Sequence, residues 1–262
     1  MKWFITDFDG TLRNSRNNDL KLNPHDEVFI KKIVKSDNKL VIATARPHMQ
    51  IKAFLKKNYN IEPDYLICNN GTIIVNKKGD LLHKNSVSKE GIVEMCQKLK
   101  ETDGIHGIVY NTPDKEGVLF HTNWTTDLTN AFFGMTPDNG KIEDIIDLEI
   151  LSIRIMSDIS NKYIFEEFNE ADNDLNFIFS TSDNFLNADL TSKDAHKGSA
   201  IRVLQQIAKF DDQDVLVAGD DYNDLTMFAE FYENSYIVKQ EHNKNIRDKA
   251  NNVITQIHEI VI

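Results

Sequence analysis

Lys2-Trp3-Phe4-Ile5-Thr6-Asp7-Phe8-Asp9-Gly10-Thr11-Leu12 opens on a short β-prone run and ends in a turn that carries two carboxylates, with glycine where the strand cannot bend. The next sixty residues set that strand in a repeating unit. Asn23-Pro24-His25-Asp26 reads as a helix start, with Asn at the cap, Pro at the first helical position and acid in the first turn, and the helix should end near Ser36. Lys39 to Thr44 is a continuous apolar run of buried-strand length, Arg46-Pro47 opens a second helix through Ile51, Phe54 and Leu55, and Tyr65-Leu66-Ile67-Cys68 is a third buried run that breaks at Asn69-Asn70-Gly71. The pattern returns near the carboxyl end. Lys197-Gly198-Ser199-Ala200 starts a helix, Val215 to Ala218 is a buried strand closed by Gly219-Asp220-Asp221, a helix runs through Leu225 to Phe231, and Tyr236 to Val238 and Val253-Ile254 are short strands. Alternation at both ends predicts an α/β fold with one doubly wound parallel sheet covered on both faces.

The middle has a different grammar. Lys78-Gly79 is a turn between two short strands, a helix runs from about Lys89 to Lys100, and strand-like runs occupy Gly107 to Tyr110, Gly117 to His121, Glu149 to Met156 and Asn176 to Phe179, with a helix at about Lys162 to Ala171. An inserted α+β domain is therefore placed at 82–188, between two parts of the parallel-sheet domain at 1–81 and 189–262. The whole length of 262 residues suits two domains. No internal repeat or low-complexity segment interrupts it.

Composition narrows the function classes. With 40% hydrophobic residues and 16 Gly plus Pro, the chain is neither disordered nor collagen-like. Cys68 and Cys96 lie far apart without a Cys-x-x-Cys partner, which argues against a disulfide framework or zinc site and for reduced core thiols. No run reaches the apolar length of a membrane span, and Asp7 and Asp9 come too early for a signal peptide, so a cytoplasmic protein is expected. A formal net charge of −11, without clustered Lys and Arg, opposes nucleic-acid binding. It leaves room for a small phosphorylated substrate, because screening confines the long-range field to about 8 Å at physiological salt. The oligomeric state is not legible.

Ligands of a doubly wound sheet bind at the carboxyl ends of its strands. Four segments should meet there: Asp7 to Thr11, Thr44-Ala45-Arg46, Lys197, and Gly219 to Asp224. Carboxylates crowded on one rim repel one another and call for an opposing charge, and magnesium suits an all-oxygen set. Lys197 and turn amides would add positive potential for a phosphoryl group, and the Thr44 hydroxyl could orient one of its oxygens. Each part also has a plain structural reading: Asp-x-Asp-Gly as a turn, Lys197 as a surface charge, Thr44 bonding its own backbone, Asp220 or Asp224 capping a helix. A calcium loop is excluded, because neither acidic cluster has the required Asp-x-Asp-x-Asp-Gly spacing with a later Glu.

Asp7-Phe8-Asp9-Gly10-Thr11-Leu12, Thr44, Lys197-Gly198 and Gly219-Asp220-x-x-Asn223-Asp224 together resemble the four ordered motifs of the haloacid dehalogenase-like hydrolases. Their order, and an insertion between the second and third, resemble the Cof-type subgroup with an α+β cap. The resemblance implies a Rossmann-like core and a Mg-dependent phosphatase acting on small phosphate esters, such as sugar phosphates, pyridoxal phosphate or flavin mononucleotide, through an aspartyl-phosphate. Carried over, Asp7 is the nucleophile, and Asp9 protonates the leaving alcohol and then deprotonates water. Mg is held by the Asp7 side chain, the Asp9 carbonyl and Asp220, with Asp224 assisting. Thr44, the Ala45 amide and Lys197 bind the phosphoryl group, and Asn223 orients Lys197 or a phosphate oxygen. Asn70, in the segment leading to the cap, faces substrate or serves the turn. In the cap, Arg154, His121, Tyr110 and Trp124 are of types that could meet a sugar, a second phosphate or a ring, beside a structural reading for each. Ala45 stands where many relatives have glycine, and the usual final helix is short or absent. A phosphomutase or phosphotransferase, or a regulator that binds phosphometabolites without turnover, are the competing readings.

Overall fold

The computed structural model describes residues 1–13, 21–126, 135–171, 173–182 and 185–262. They form two compact units, one from Met1–His83 with His196–Ile262 and the other from Lys84–Ala195.

The first unit begins with β1 (Trp3–Thr6), α1 (Pro24–Val34), β2 (Lys39–Ala43), α2 (His48–Tyr59), β3 (Tyr65–Cys68), β4 (Ile73–Asn76) and β5 (Leu81–Lys84). The chain passes through α3 (Lys89–Lys100), β6 (Ile105–Asn111), β7 (Glu116–His121), β8 (Ser152–Asp158), α4 (Lys162–Glu170), β9 (Leu175–Ser182) and β10 (Phe185–Ser192). It then returns as α5 (Lys197–Ala208), β11 (Val215–Gly219), α6 (Leu225–Glu230), β12 (Ser235–Val238) and β13 (Asn252–Ile254).

The sheet of the first unit runs in the order β13-β12-β11-β1-β2-β3-β4-β5. Its neighbours from β13 to β3 are parallel. Strand order reverses between β1 and β11, so the first and last thirds of the chain diverge from that line, as in doubly wound sheets. β4 is antiparallel to β3, a departure from an all-parallel sheet. The link Asn69–Gly71 is too short for a crossover and allows only a hairpin-like return. β1 is buried along its length. Trp3 and Ile5 face a cluster with Ile201 and Leu204 of α5 and Met227 and Phe228 of α6, while Phe4 meets Phe29 of α1 from the other face. Helices on both faces explain why the strands read as apolar runs rather than alternations.

The second unit is a five-stranded antiparallel sheet in the order β7-β6-β8-β10-β9. One core joins Ile108, Ile153, Ile155 and Leu186 of that sheet to Met95 of α3 and Phe165 of α4. This unit ends at Ala195 rather than at the 188 expected from sequence, because β10 lies between β8 and β9 and cannot leave the sheet at its middle.

Candidate active site

Three turns and one helix end meet where β1 and β11 finish. Asp7 follows the last residue of β1, and its amide donates to the Ala218 carbonyl at 2.8 Å, which carries the ladder one residue past the strand. The turn then tightens: the Arg13 amide donates to the Phe8 carbonyl at 2.7 Å and the Gly10 amide to the Arg13 carbonyl at 3.0 Å. Gly10 has φ +88°, and a Cβ there would stand 2.2 Å from Asp220 Oδ2, so both backbone angle and space demand glycine. Close approach lets the Thr11 hydroxyl donate to Asp220 Oδ1 at 2.7 Å, across 209 positions of sequence.

Lys197 opens α5 and is wholly buried. Its Nζ donates to Asp7 Oδ1 at 2.7 Å and to Asp224 Oδ1 at 2.6 Å. The helix start is fixed by His196, whose Nδ1 accepts from the Ser199 amide at 3.0 Å. Gly198 packs against α6 so tightly that a Cβ would lie 2.6 Å from the Thr226 carbonyl oxygen. Asp224 turns its other oxygen to its own loop: Oδ2 accepts from the Asp220 amide at 2.8 Å and the Asp221 amide at 3.0 Å. Asp224 thus braces both the lysine and the loop bearing Asp220. Its structural and site readings are both present in one side chain.

Asp7, Asp220 and Asp224 are buried and offer oxygens within 4.8 Å of one another. Three carboxylates against one ammonium leave formal negative charge in a dry site. Burial pushes the Asp7 carboxyl well above its ordinary range despite Lys197, with Asp224 and Asp220 adding to the rise. It pushes Asp220 to about 6, against hydrogen bonds from His242 and Thr11 that lower it. Lys197 is held charged, with its two carboxylate partners outweighing burial. A set of hard oxygens that carries surplus negative charge fits a small divalent cation. His242, not singled out from sequence, brings Nε2 to 3.3 Å from Asp220 Oδ2 and is half exposed. A lone histidine in a polar loop gives no pattern by which to find it.

The second segment is built on backbone bonds. The Thr44 amide donates to the Ile67 carbonyl at 2.8 Å, and Thr44 Oγ1 accepts from the Arg46 amide at 3.1 Å. Ala45 lies between them, partly exposed. Asn70 donates its amide to the Thr44 carbonyl at 3.1 Å from a left-handed conformation, φ 57°, that asparagine tolerates better than most residues. Of the two roles expected of Asn223, orienting Lys197 or a phosphate oxygen, the first finds no contact among the described residues, since its Nδ2 donates to Asn70 Oδ1 at 3.1 Å. Asp224, one residue on, already holds the ammonium, and a neutral amide offers a buried cation less than a carboxylate does.

Asp9 is the most exposed acid of the group, and two arginines take it. Arg46 donates through Nε to Oδ2 at 2.5 Å and through a terminal nitrogen to Oδ1 at 3.0 Å. Arg13 lies 2.5 Å from Oδ1. Neither contact follows from motif spacing, since side-chain direction around a turn leaves no periodic trace.

In the second unit, Arg154 grips Asp189 with two bonds of 2.7 Å, and His121 meets the Trp124 ring edge-on at 5.4 Å. Tyr110 is a core residue there. No helix among the described residues is long and apolar enough to cross a membrane. Cys68 and Cys96 are free and buried.

A family model described as haloacid dehalogenase-like hydrolase matches residues 4–260. An uncharacterized protein of Mycoplasma capricolum is 38% identical over 99% of this chain and 98% of its own. A Mycoplasma pneumoniae protein named only provisionally as a phosphatase is 25% identical over 87% of this chain and 82% of its own. Among solved structures, a HAD subclass IIB sugar phosphatase superposes with TM-score 0.79 at 16% identity, covering 99% of this chain and 95% of that one. At that identity the likeness speaks for the fold.

Proposed function

Because this chain belongs to the haloacid dehalogenase-like hydrolases, we propose that it is a Mg-dependent phosphatase of small phosphate monoesters that works through an aspartyl-phosphate on Asp7. The observation that carries the reading is the buried Asp7 carboxylate, held by Lys197 through Oδ1 at 2.7 Å, at the end of β1. Sugar phosphates and phosphorylated cofactors such as pyridoxal phosphate or flavin mononucleotide are the substrate class, as expected from the resemblance. The provisional phosphatase name of the Mycoplasma pneumoniae relative supports the reaction, and a sugar phosphatase among the structural neighbours has the same fold.

In the first step an Asp7 oxygen forms a bond to phosphorus while the ester P–O bond breaks, and the departing alkoxide takes a proton from Asp9. In the second, a water oxygen attacks phosphorus and breaks the Asp7–phosphate bond, and Asp9 takes the water's proton. Splitting one transfer in two and shuttling one proton suits a pair of carboxyls with different surroundings. Lys197 would neutralise charge on the transferring group, while Thr44 and the Ala45 amide would bind its oxygens. Asp7 and Asp220, with the Asp9 carbonyl, would hold Mg2+, and Asp224 would keep both Lys197 and the Asp220 loop in place. When bound, the ion supplies positive charge against the phosphate oxygens. Buried free thiols fit a reducing compartment, and the cytoplasm is the proposed location.

Phosphate release should be measured from a panel of sugar phosphates, nucleotides, pyridoxal phosphate, flavin mononucleotide and p-nitrophenyl phosphate, with Mg2+ or EDTA. Wild type is expected to turn over several esters only with Mg2+, and Asp7→Asn none, with an unchanged fold. Turnover retained by Asp7→Asn sinks the proposal.

A further inference from the structure

Asp9 keeps about 37% of its side chain exposed, whereas Asp7 keeps 7%. A carboxylate so open on a turn would ordinarily sample several rotamers. Here three guanidinium contacts converge on it. Arg46 engages both oxygens in a fork, and Arg13 meets Oδ1 as well. Both guanidinium groups lie over the Phe8 ring, at 5.5 Å for Arg13 and 5.9 Å for Arg46. That ring is buried and braced edge-on by Phe54 at 5.6 Å. The residue between the two acids of Asp7-Phe8-Asp9 is thus the floor on which both arms rest.

We propose that Arg13 and Arg46, seated on Phe8, are positioning residues that aim the Asp9 carboxyl for proton transfer, an inference that rests on the phosphatase reading above. Each arm ties Asp9 to a different part of the site. Arg13 belongs to the Asp9 turn itself, through its backbone bonds to Phe8 and Gly10. Arg46 belongs to the segment of Thr44, whose hydroxyl accepts from the Arg46 amide. The group that moves the proton is thereby held in register with the segment proposed to bind the phosphoryl oxygens. A guanidinium stays charged and serves neither as acid nor as base, so both arginines act through Asp9. Forked bonds fix the plane of a carboxylate as well as its place, which a single ammonium does not.

The discriminating measurement is the dependence on the leaving group. An alkoxide needs the proton from Asp9 as the ester bond breaks, whereas p-nitrophenolate departs as a stable anion without it. Single-turnover release of the alcohol, with enzyme in excess and Mg2+ present, reports that step for ethyl phosphate and for p-nitrophenyl phosphate. Arg13→Met is expected to slow release from ethyl phosphate about tenfold or more, part of what a general acid contributes. Release from p-nitrophenyl phosphate should slow by less than about threefold, with ester affinity kept, and Arg13→Lys should fall between wild type and Arg13→Met. Arg46→Lys gives the same comparison should Arg13→Met fail to fold by circular dichroism. Equal slowing of both esters, or of neither, overturns the inference while leaving the phosphatase reading intact. A wild-type protein that releases alcohol from no ester of the panel, these two included, overturns both.

Discussion

At the scale of single residues, Lys197 has the largest energetic leverage. Its ammonium stands between Asp7 and Asp224 with no exposure, so removing it strands two buried carboxylates. Breaking such a pair from one side costs about 3–5 kcal/mol. Lys197→Met should therefore lose that much stability in urea denaturation at pH 7. Measured at pH 5, the deficit should shrink, because the stranded Asp7 carboxyl, which burial already raises, takes up a proton and ceases to be a charge. Arginine is not expected to rescue, since its wide planar fork does not fit a slot shaped for one compact ammonium.

At the scale of elements, the seat of Lys197 depends on how closely α5 lies on α6. A methyl group at Gly198 would meet the Thr226 carbonyl oxygen at 2.6 Å, a backbone atom that cannot swing aside. Gly198→Ala should push the first turn of α5 away, destabilise the fold by about 1–3 kcal/mol as overpacking does, and lower phosphate turnover more than the stability loss explains. Thermal melting alongside kcat checks both. Much of this arrangement is legible in sequence. Strand and helix runs such as Val215 to Ala218 and Lys197 to Ala208 stand out because burial imposes period on them. Asp7, Lys197, Asp220 and Asp224 can be expected on one rim because strand ends share it. Contacts made by side chains that bend around turns are not legible: Arg13 and Arg46 on Asp9, His242 on Asp220, and Asn223 on Asn70. β10 escapes sequence reasoning although Leu186, Ala188 and Leu190 alternate inward along it, because its place is decided by pairing on both sides, with β9 just before it and with the more distant β8, and not by its own pattern.

At the scale of the whole molecule, the acidic cluster ties stability to pH and to metal. Asp220, raised to about 6 by burial, binds its proton more tightly folded than unfolded. Its contribution to stability is complete below the unfolded value of about 3.9 and is lost as pH rises through about 6. In EDTA the melting temperature should therefore fall between pH 5 and pH 7 by more in wild type than in Asp220→Asn, and added Mg2+ should remove most of that difference. Identical slopes in the two proteins count against it. The same cluster has a consequence for biosynthesis. β1 lies in the middle of its sheet, yet one of its two neighbours, β11, falls within about the last 50 residues of the chain, and the Lys197–Asp7 bond spans 190 positions. On a ribosome adding about 5–20 residues per second, the open flank of β1 and its unpaired acid would wait on the order of 10–40 s for their partners. During that interval the nascent chain would expose an apolar strand edge, so a chain terminated after residue 195 is expected to aggregate rather than to give a half-active enzyme, which sedimentation of the 1–195 fragment would check.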